Sequence, residues 1–350
     1  MKKRIHWAVG FLGIAILAFV FGGAIAEIRA RFFSPSGTSV IEAGVAPTEE
    51  SAAEKTGNDQ DGVDQSMSDP APVSEQAQVP STGQSEDSFS FAILGDTQRF
   101  DAANSAGGFQ QAVRAINGKD VDFVMTVGDL LSSCDKGCAG KLVEWQKIIG
   151  LLAPKTYAVM GNHDRTGRST ADEAWQKVFE MPTNGPAGYS EMVYSFDFKN
   201  THFVVLNSEK PKEHVINKTQ RDWLESDLGA NKKENILVFY HEPAYPVSSK
   251  IGESLDFEKK ERDEFWNILT KYQVTAVFNG HEHIFSRRKI GNIYQFVVGN
   301  TDSFDHDLPK PGVAEYSFQG KSFAVVKVTG RDIFISLYSV EGKLTNEFGF

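Results

Sequence analysis

Two hydrophobic rhythms alternate along the chain. Short apolar runs at Ser90–Leu94, Phe123–Val127, Thr156–Met160, Ile236–Tyr240 and Val274–Phe278 predict β-strands. Between and around them, apolar positions recur every three or four residues, which predicts helices over Phe109–Asn117, Leu142–Leu152, Ala171–Phe179, Asn217–Leu228 and Phe257–Tyr272. Two strands without a helix between them follow the third helix, Val193–Phe198 and His202–Asn207. Beyond residue 283 the texture changes, and Ile284–Ile290, Ile293–Val298, Phe323–Val328, Ile333–Ser339 and Leu344–Phe348 read as hairpin strands. Alternating β and α units first, with antiparallel strands later, predict two packed sheets flanked by helices.

The first 88 residues follow neither rhythm. Met1-Lys2-Lys3-Arg4 precedes an apolar run from Ile5 to Ala26, long enough to span a bilayer. The basic flank predicts a cytoplasmic N-terminus and an exported remainder. Residues 1–33 are therefore expected to be a signal anchor, or a signal peptide cleaved after Ala26, since Ala24-Ile25-Ala26 has the small-x-small form of a cleavage site. Residues 34–88 lack Phe, Trp and Tyr and carry eleven Asp or Glu against one Lys. Such a segment buries too little apolar surface to offset its ordering entropy and is expected to be a disordered acidic linker, spanning roughly 40 Å on average. The expected organisation is thus 1–33 anchor, 34–88 linker and 89–350 folded domain. The expected location is the cell membrane, single-pass, with the folded domain extracytoplasmic, or secretion if the segment is cleaved.

Charge sharpens this division. The whole chain has a net charge of −10, but the linker alone accounts for −10 and residues 1–33 for +4, so the folded part carries only −4. No basic stripe marks a nucleic-acid groove, and no nucleic-acid partner is expected. Two cysteines, Cys134 and Cys138, stand four residues apart. In an exported domain this close pair reads as a disulfide, with two free thiols as the alternative.

Candidate chemistry sits where the strands end. Gly95-Asp96-Thr97-Gln98, Gly128-Asp129, Gly161-Asn162-His163-Asp164, His241 and Gly280-His281-Glu282-His283 each follow one of the five apolar runs. The carboxyl edge of an open α/β sheet is where ligands bind, and Asp, Asn and His together form a divalent-metal ligand set. Each block alone has a plain reading: Gly-Asp after a strand is commonly a turn, and Asn162 suits a turn after Gly161. Their recurrence in one order is what points to a metal site. On an extended segment His281 and His283 would point the same way and Glu282 away. Position 285 is Phe, so this is not the His-Glu-x-x-His motif of zinc proteases.

The blocks resemble the calcineurin-like metallophosphoesterase family, whose pattern runs Asp-x-His, Gly-Asp, Gly-Asn-His-Asp/Glu, His, Gly-His-x-His. The resemblance covers roughly Phe89 to the C-terminus. It implies a four-layer α/β/β/α sandwich of two mixed sheets and a binuclear metal centre that hydrolyses phosphate esters. By the same resemblance the first metal would take Asp96, Asp129, His283 and position 98, and the second Asp129, Asn162, His241 and His281, with Asp129 as the bridge. His163 would contact phosphate or protonate the leaving oxygen, and Asp164 would orient its imidazole. The expected partner is a small phosphate-ester substrate.

One position departs from the pattern: Gln98 stands where the family has His. An amide oxygen in place of an imidazole shifts the expected preference of the two divalent ions from Zn towards Mn, Fe or Mg. It also sustains a rival reading, a degenerate phosphoesterase fold kept as a binding module. The last block, Gly280 to Arg287, also resembles that of the purple acid phosphatase branch. That branch has Tyr three residues after the bridging Asp, and Ser132 here speaks against a purple ferric site. His306, in a polar stretch after the last motif, is a candidate for the substrate mouth.

Overall fold

The computed structural model describes residues 88–350, apart from 136 and 153. The expected membrane segment and linker lie outside the described residues, except Ser88, which opens the first strand. Among the described residues no helix is long and apolar enough to cross a membrane.

The chain runs β1 (Ser88–Leu94), α1 (Gly108–Asn117), β2 (Phe123–Thr126), α2 (Cys138–Ile149), β3 (Lys155–Tyr157), α3 (Ser169–Val178), β4 (Tyr194–Phe198), β5 (Thr201–Val205), α4 (Lys218–Ala230), β6 (Asn235–Phe239), α5 (Lys259–Lys271) and β7 (Ala276–Asn279). It finishes in β8 (Phe285–Ile290), β9 (Ile293–Val298), β10 (Tyr316–Phe318), β11 (Ser322–Thr329), β12 (Asp332–Ser339) and β13 (Leu344–Gly349). These form a six-stranded sheet, β13-β12-β11-β1-β2-β3, and a seven-stranded sheet, β10-β8-β9-β7-β6-β5-β4. Both are mixed: β1, β2 and β3 are mutually parallel and so are β5, β6 and β7, while β11–β13 and the β8–β9 hairpin run antiparallel.

Side-chain alternation along β1 and β2 explains the layering. Ala92, Leu94 and Val124 face a core built with α1, α2 and α3, including Phe109, Trp145 and Trp175. Phe91, Ile93, Phe123 and Met125 face the second sheet. This middle layer is rich in Phe; the Phe91 and Phe123 rings stack at 5.1 Å, and Phe203 meets both edge-on. A third core joins the outer face of the second sheet to α4 and α5 through Val204, Val238, Leu224 and Phe265. Helix, sheet, sheet, helix is therefore the layer order. Parallel strands buried on both faces read as unbroken apolar runs, which is why they were legible in the sequence.

Most element ends shift by a few residues. The third strand stops at Tyr157 rather than Met160, because Ala158–Met160 leaves the ladder towards the site. The second helix starts at Cys138, and β10 is a three-residue edge strand too short to leave a pattern. Cys134 and Cys138 are disulfide-bonded with Cα atoms 4.6 Å apart, closing the loop between β2 and α2.

Candidate metal centre

The strand ends are aligned so that their loops converge. Leu94 pairs with Thr126, and the pairing runs on past the ladder: Asp96 N donates to Gly128 O and Thr97 N to Asp129 O, both at 3.0 Å. In the other sheet Gly280 N donates to His241 O at 3.0 Å. The sheets are joined at this edge: His281 N donates to Asp96 Oδ1, and Thr301 N and Asp302 N donate to the carbonyls of Gly95 and Asp96.

Tight backbone makes the convergence possible. Asp96, Asp129 and His281 all have positive φ (52°, 53° and 71°), a left-handed conformation costly for residues with a side chain. Gly161 passes so close to Asp129 that a Cβ there would lie 2.3 Å from the Asp129 backbone nitrogen. Glycine is the residue that permits such an approach.

The seven expected ligands all meet. Asn162 Oδ1 lies 3.0 Å from His241 Nε2 and 3.1 Å from His281 Nδ1. His283 Nε2 lies 3.4 Å from Asp96 Oδ1 and 3.4 Å from the amide nitrogen of Gln98. Asp129 faces both groups, with Oδ1 3.4 Å from His241 Nε2 and Oδ2 3.4 Å from the Gln98 amide. Ligand atoms of Asp96, Asp129 and His241 lie within 4.8 Å of one another, all buried.

Three histidines share one arrangement. His241 Nδ1 faces the Val127 carbonyl at 2.7 Å, His281 Nε2 the Glu253 carbonyl at 2.8 Å, and His283 Nδ1 the Phe304 carbonyl at 2.8 Å. A carbonyl only accepts, so the proton sits on the nitrogen that faces it and the other ring nitrogen is turned into the cluster. This is how proteins orient imidazoles for metals. Asp96 Oδ2 and Gln98 Oε1 are buried there without hydrogen-bond partners, as oxygens intended for an ion would be. The residues thus fit a pair of divalent ions.

The electrostatics follow from burial and charge. Burial would raise Asp129, but His241, His163 and His281 outweigh it and hold its carboxyl well below the usual carboxylate range. Burial lowers His241, yet Asp129 and Asp96 pull it well above its ordinary value. His281, penalised by burial and by His241, is driven well below.

Two expected roles are corrected. Asp164 does not orient His163. It is fully buried and accepts three backbone N–H bonds, from Gly161 at 2.9 Å, Leu130 at 3.1 Å and Leu131 at 2.9 Å, so it ties the β2 loop to the β3 loop. Burial and the charge on Asp129 push it up to about 7, against the pull of those N–H groups. The partner of His163 Nδ1 is instead the Ser132 carbonyl, at 2.9 Å. The second correction concerns His281 and His283. Their segment is a bend held by Glu282 N to Gly280 O and Ile284 N to Glu282 O, not an extended strand, and the two rings enter different halves of the cluster. Glu282 does point away, accepting the backbone N–H groups of Val247 and Ser248.

His306 lies at this edge too. It stacks on His283 with ring centres 4.0 Å apart and accepts the His283 backbone N–H through Nδ1 at 3.0 Å. Sequence reasoning missed the carbonyls of Val127, Glu253, Phe304 and Ser132, because a backbone acceptor leaves no trace in residue identity.

Residues 89–285 match the profile of the calcineurin-like phosphoesterase family. The chain is 23% identical over 214 residues to tartrate-resistant acid phosphatase type 5 of Sus scrofa, covering 53% of this chain and 61% of that protein. It is 29% identical over 213 residues to purple acid phosphatase 21 of Arabidopsis thaliana, covering 57% of this chain and 45% of that one. The chain therefore spans about three fifths or less of the length of these two relatives. Among solved structures, a purple acid phosphatase from seeds of yellow lupin (Lupinus luteus) superposes with a TM-score of 0.62 at 16% identity, over 75% of this chain and 53% of that one, a likeness of fold.

Proposed function

The chain belongs to the calcineurin-like phosphoesterase family, and on that premise we propose that it is an active hydrolase of phosphate esters working at a two-metal site. The observation that carries this reading is the set of three histidines, each with one nitrogen on a backbone carbonyl and the other turned to Asp96, Asp129 or Asn162. One group, Asn162, His241 and His281, would hold one ion. The other, Asp96, Gln98 and His283, would hold its neighbour, with Asp129 between them. Mn, Fe or Mg suits the Gln98 group better than Zn. Bound divalent ions supply positive charge against phosphoryl oxygens and a water acidic enough to attack near neutral pH.

In the reaction a water oxygen bonds to phosphorus, the bond from phosphorus to the ester oxygen breaks, and the alcohol leaves with a proton. His163 is placed for that proton or for a phosphoryl oxygen. Its Nδ1 is held by Ser132, and its half-exposed ring sets Nε2 4.0 Å from Asp129 Oδ2. Asp164 keeps the two loops that carry Asp129 and His163 in register. The names of the relatives favour phosphate monoesters.

We further propose that residues 5–26 hold the protein in a membrane, with the catalytic domain outside the cytoplasm. The disulfide between Cys134 and Cys138 supports an oxidising compartment. A binding module without catalysis rests on Gln98 alone, and its amide lies within the cluster rather than turned away from it.

The test uses the full chain loaded with Mn²⁺. Hydrolysis of p-nitrophenyl phosphate and bis-p-nitrophenyl phosphate is followed side by side, with His163→Ala as control. Turnover that the control loses by roughly 10²–10⁴-fold supports the enzyme and assigns monoester or diester. Bound metal with no turnover above the control sinks it.

A further inference from the structure

A cleft of about 400 Å³ opens beside the metal cluster, lined by Gln98, Phe100, Asp101, Ser132, Lys141 and Glu144 among others. That volume suits a small organic group. Gln98 joins cleft and cluster: its side chain is 8% exposed, its amide nitrogen lies 3.4 Å from Asp129 Oδ2, and its Oε1 is buried without a partner. Ser132 does the same on the other side, since its carbonyl holds His163 Nδ1. The cleft therefore begins beside Gln98 and the residue whose carbonyl holds His163. The Cys134–Cys138 disulfide closes the loop between Ser132 and α2, the helix that supplies Lys141 and Glu144.

The charges lining it are unequal. Lys141 Nζ donates to the Ser133 carbonyl at 2.9 Å and lies 3.7 Å from Asp135, which offsets part of its charge. Asp101 is exposed and uses one carboxylate oxygen on the Ala103 N–H. Glu144 is exposed and forms no ion pair among the described residues. Phe100, packed edge-on against Phe109 with centroids 5.9 Å apart, gives the cleft an aromatic wall. Two available carboxylates and an aromatic ring attract a cation and repel an anion.

We propose that this cleft holds the alcohol part of the substrate and selects ammonium-bearing leaving groups over anionic ones. The proposal rests on the phosphoesterase reading above. The test compares kcat/KM of the Mn²⁺-loaded full chain on ethanolamine phosphate, glycerol 2-phosphate and 3-phosphoglycerate. It repeats the series with Glu144→Gln, and with Glu144→Lys combined with Asp101→Asn; both positions are exposed. The expected order is ammonium, neutral, anionic, with about tenfold between the ends, the size of one to two weak charge contacts. Glu144→Gln should narrow that spread and the double variant reverse it. Calorimetric binding of ethanolamine phosphate should weaken in the same variants while Mn²⁺ stoichiometry stays unchanged. An order that is absent, or that survives the double variant, overturns the cleft assignment while leaving the phosphoesterase reading intact. No turnover of any ester by the metal-loaded parent overturns both.

Discussion

The two halves of the candidate centre are built to different standards. In the half around Asn162, two imidazole nitrogens lie within 3.1 Å of a single amide oxygen, and each ring is fixed from behind by a backbone carbonyl. In the half around Gln98, the shortest approaches are 3.4 Å, one imidazole replaces two, and two oxygens, Asp96 Oδ2 and Gln98 Oε1, are buried without partners. Imidazole binds the later first-row ions and zinc well, whereas carboxylate and amide oxygens suit Mg and Mn. The contrast teaches that one chain can set a closely held group of candidate ligands beside a looser one, with a single carboxylate, Asp129, facing both. The two ions should load in sequence, the Asn162 half first.

Asp129→Asn breaks the comparison outright, because Asp129 is the residue that faces both halves. Several kcal/mol of transition-state stabilisation depend on the paired ions, so activity should fall by roughly 10³-fold or more. Metal content, read by mass spectrometry of the native protein, should drop to one ion per chain. Two ions still bound would remove Asp129 as the bridge.

The half around Asn162 was more legible as residue types than the half around Gln98, where an amide stands in place of a histidine. Asp96, Asp129, Asn162, His241, His281 and His283 announce themselves because ligands must be particular side chains placed after apolar strands. The parallel strands were legible for the same reason: burial on both faces writes a continuous apolar run. What the sequence concealed is backbone. The carbonyls behind the histidines use no special residue type that pattern reading could detect, and the positive φ of Asp96, Asp129 and His281 left only a weak signal in residue type. Asp164 shows the cost of that blindness. Beside His163 in the chain it reads as the partner of that ring, yet its oxygens go to three N–H groups in two loops.

Asp164→Asn tests that correction and comes next in size. An amide offers one acceptor where three N–H groups converge, and it points its own N–H at one of them. Leaving one or two buried N–H groups unpaired should cost on the order of 3 kcal/mol, seen as a lower denaturant midpoint. If Asp164 instead only oriented His163, the fold would keep its stability and turnover alone would suffer.

Gln98→His makes the two halves more alike. An imidazole there should tighten Zn²⁺ binding at the weaker site by about tenfold, the size of change that even an indirect partner of a metal ligand produces. Binding at the Asn162 half should not change. Equal affinities for Zn²⁺ and Mn²⁺ before and after substitution would mean that position 98 does not reach the ion.

An effect of similar size comes from a histidine that lies outside the centre and differs from the candidate ligand histidines. His202, in β5, uses both ring nitrogens on carboxylates, Nδ1 on Asp197 at 2.7 Å and Nε2 on Asp227 at 2.8 Å. Neither nitrogen is left to a metal, whereas each ring of the centre keeps one free. Burial lowers His202, but Asp227 and Asp197 outweigh it and raise it above its ordinary 6.5. A raised folded value means that the charged ring adds stability in full below pH 6.5, and that this is lost as pH climbs through the folded value. Replacing it by Gln should therefore destabilise the domain by about 1–2 kcal/mol in acid, with the gap between parent and variant closing above neutrality. Urea midpoints at pH 5 and pH 8.5 read this directly. A gap that stays constant with pH would mean that His202 is neutral and that its two carboxylates are held together by something other than its charge.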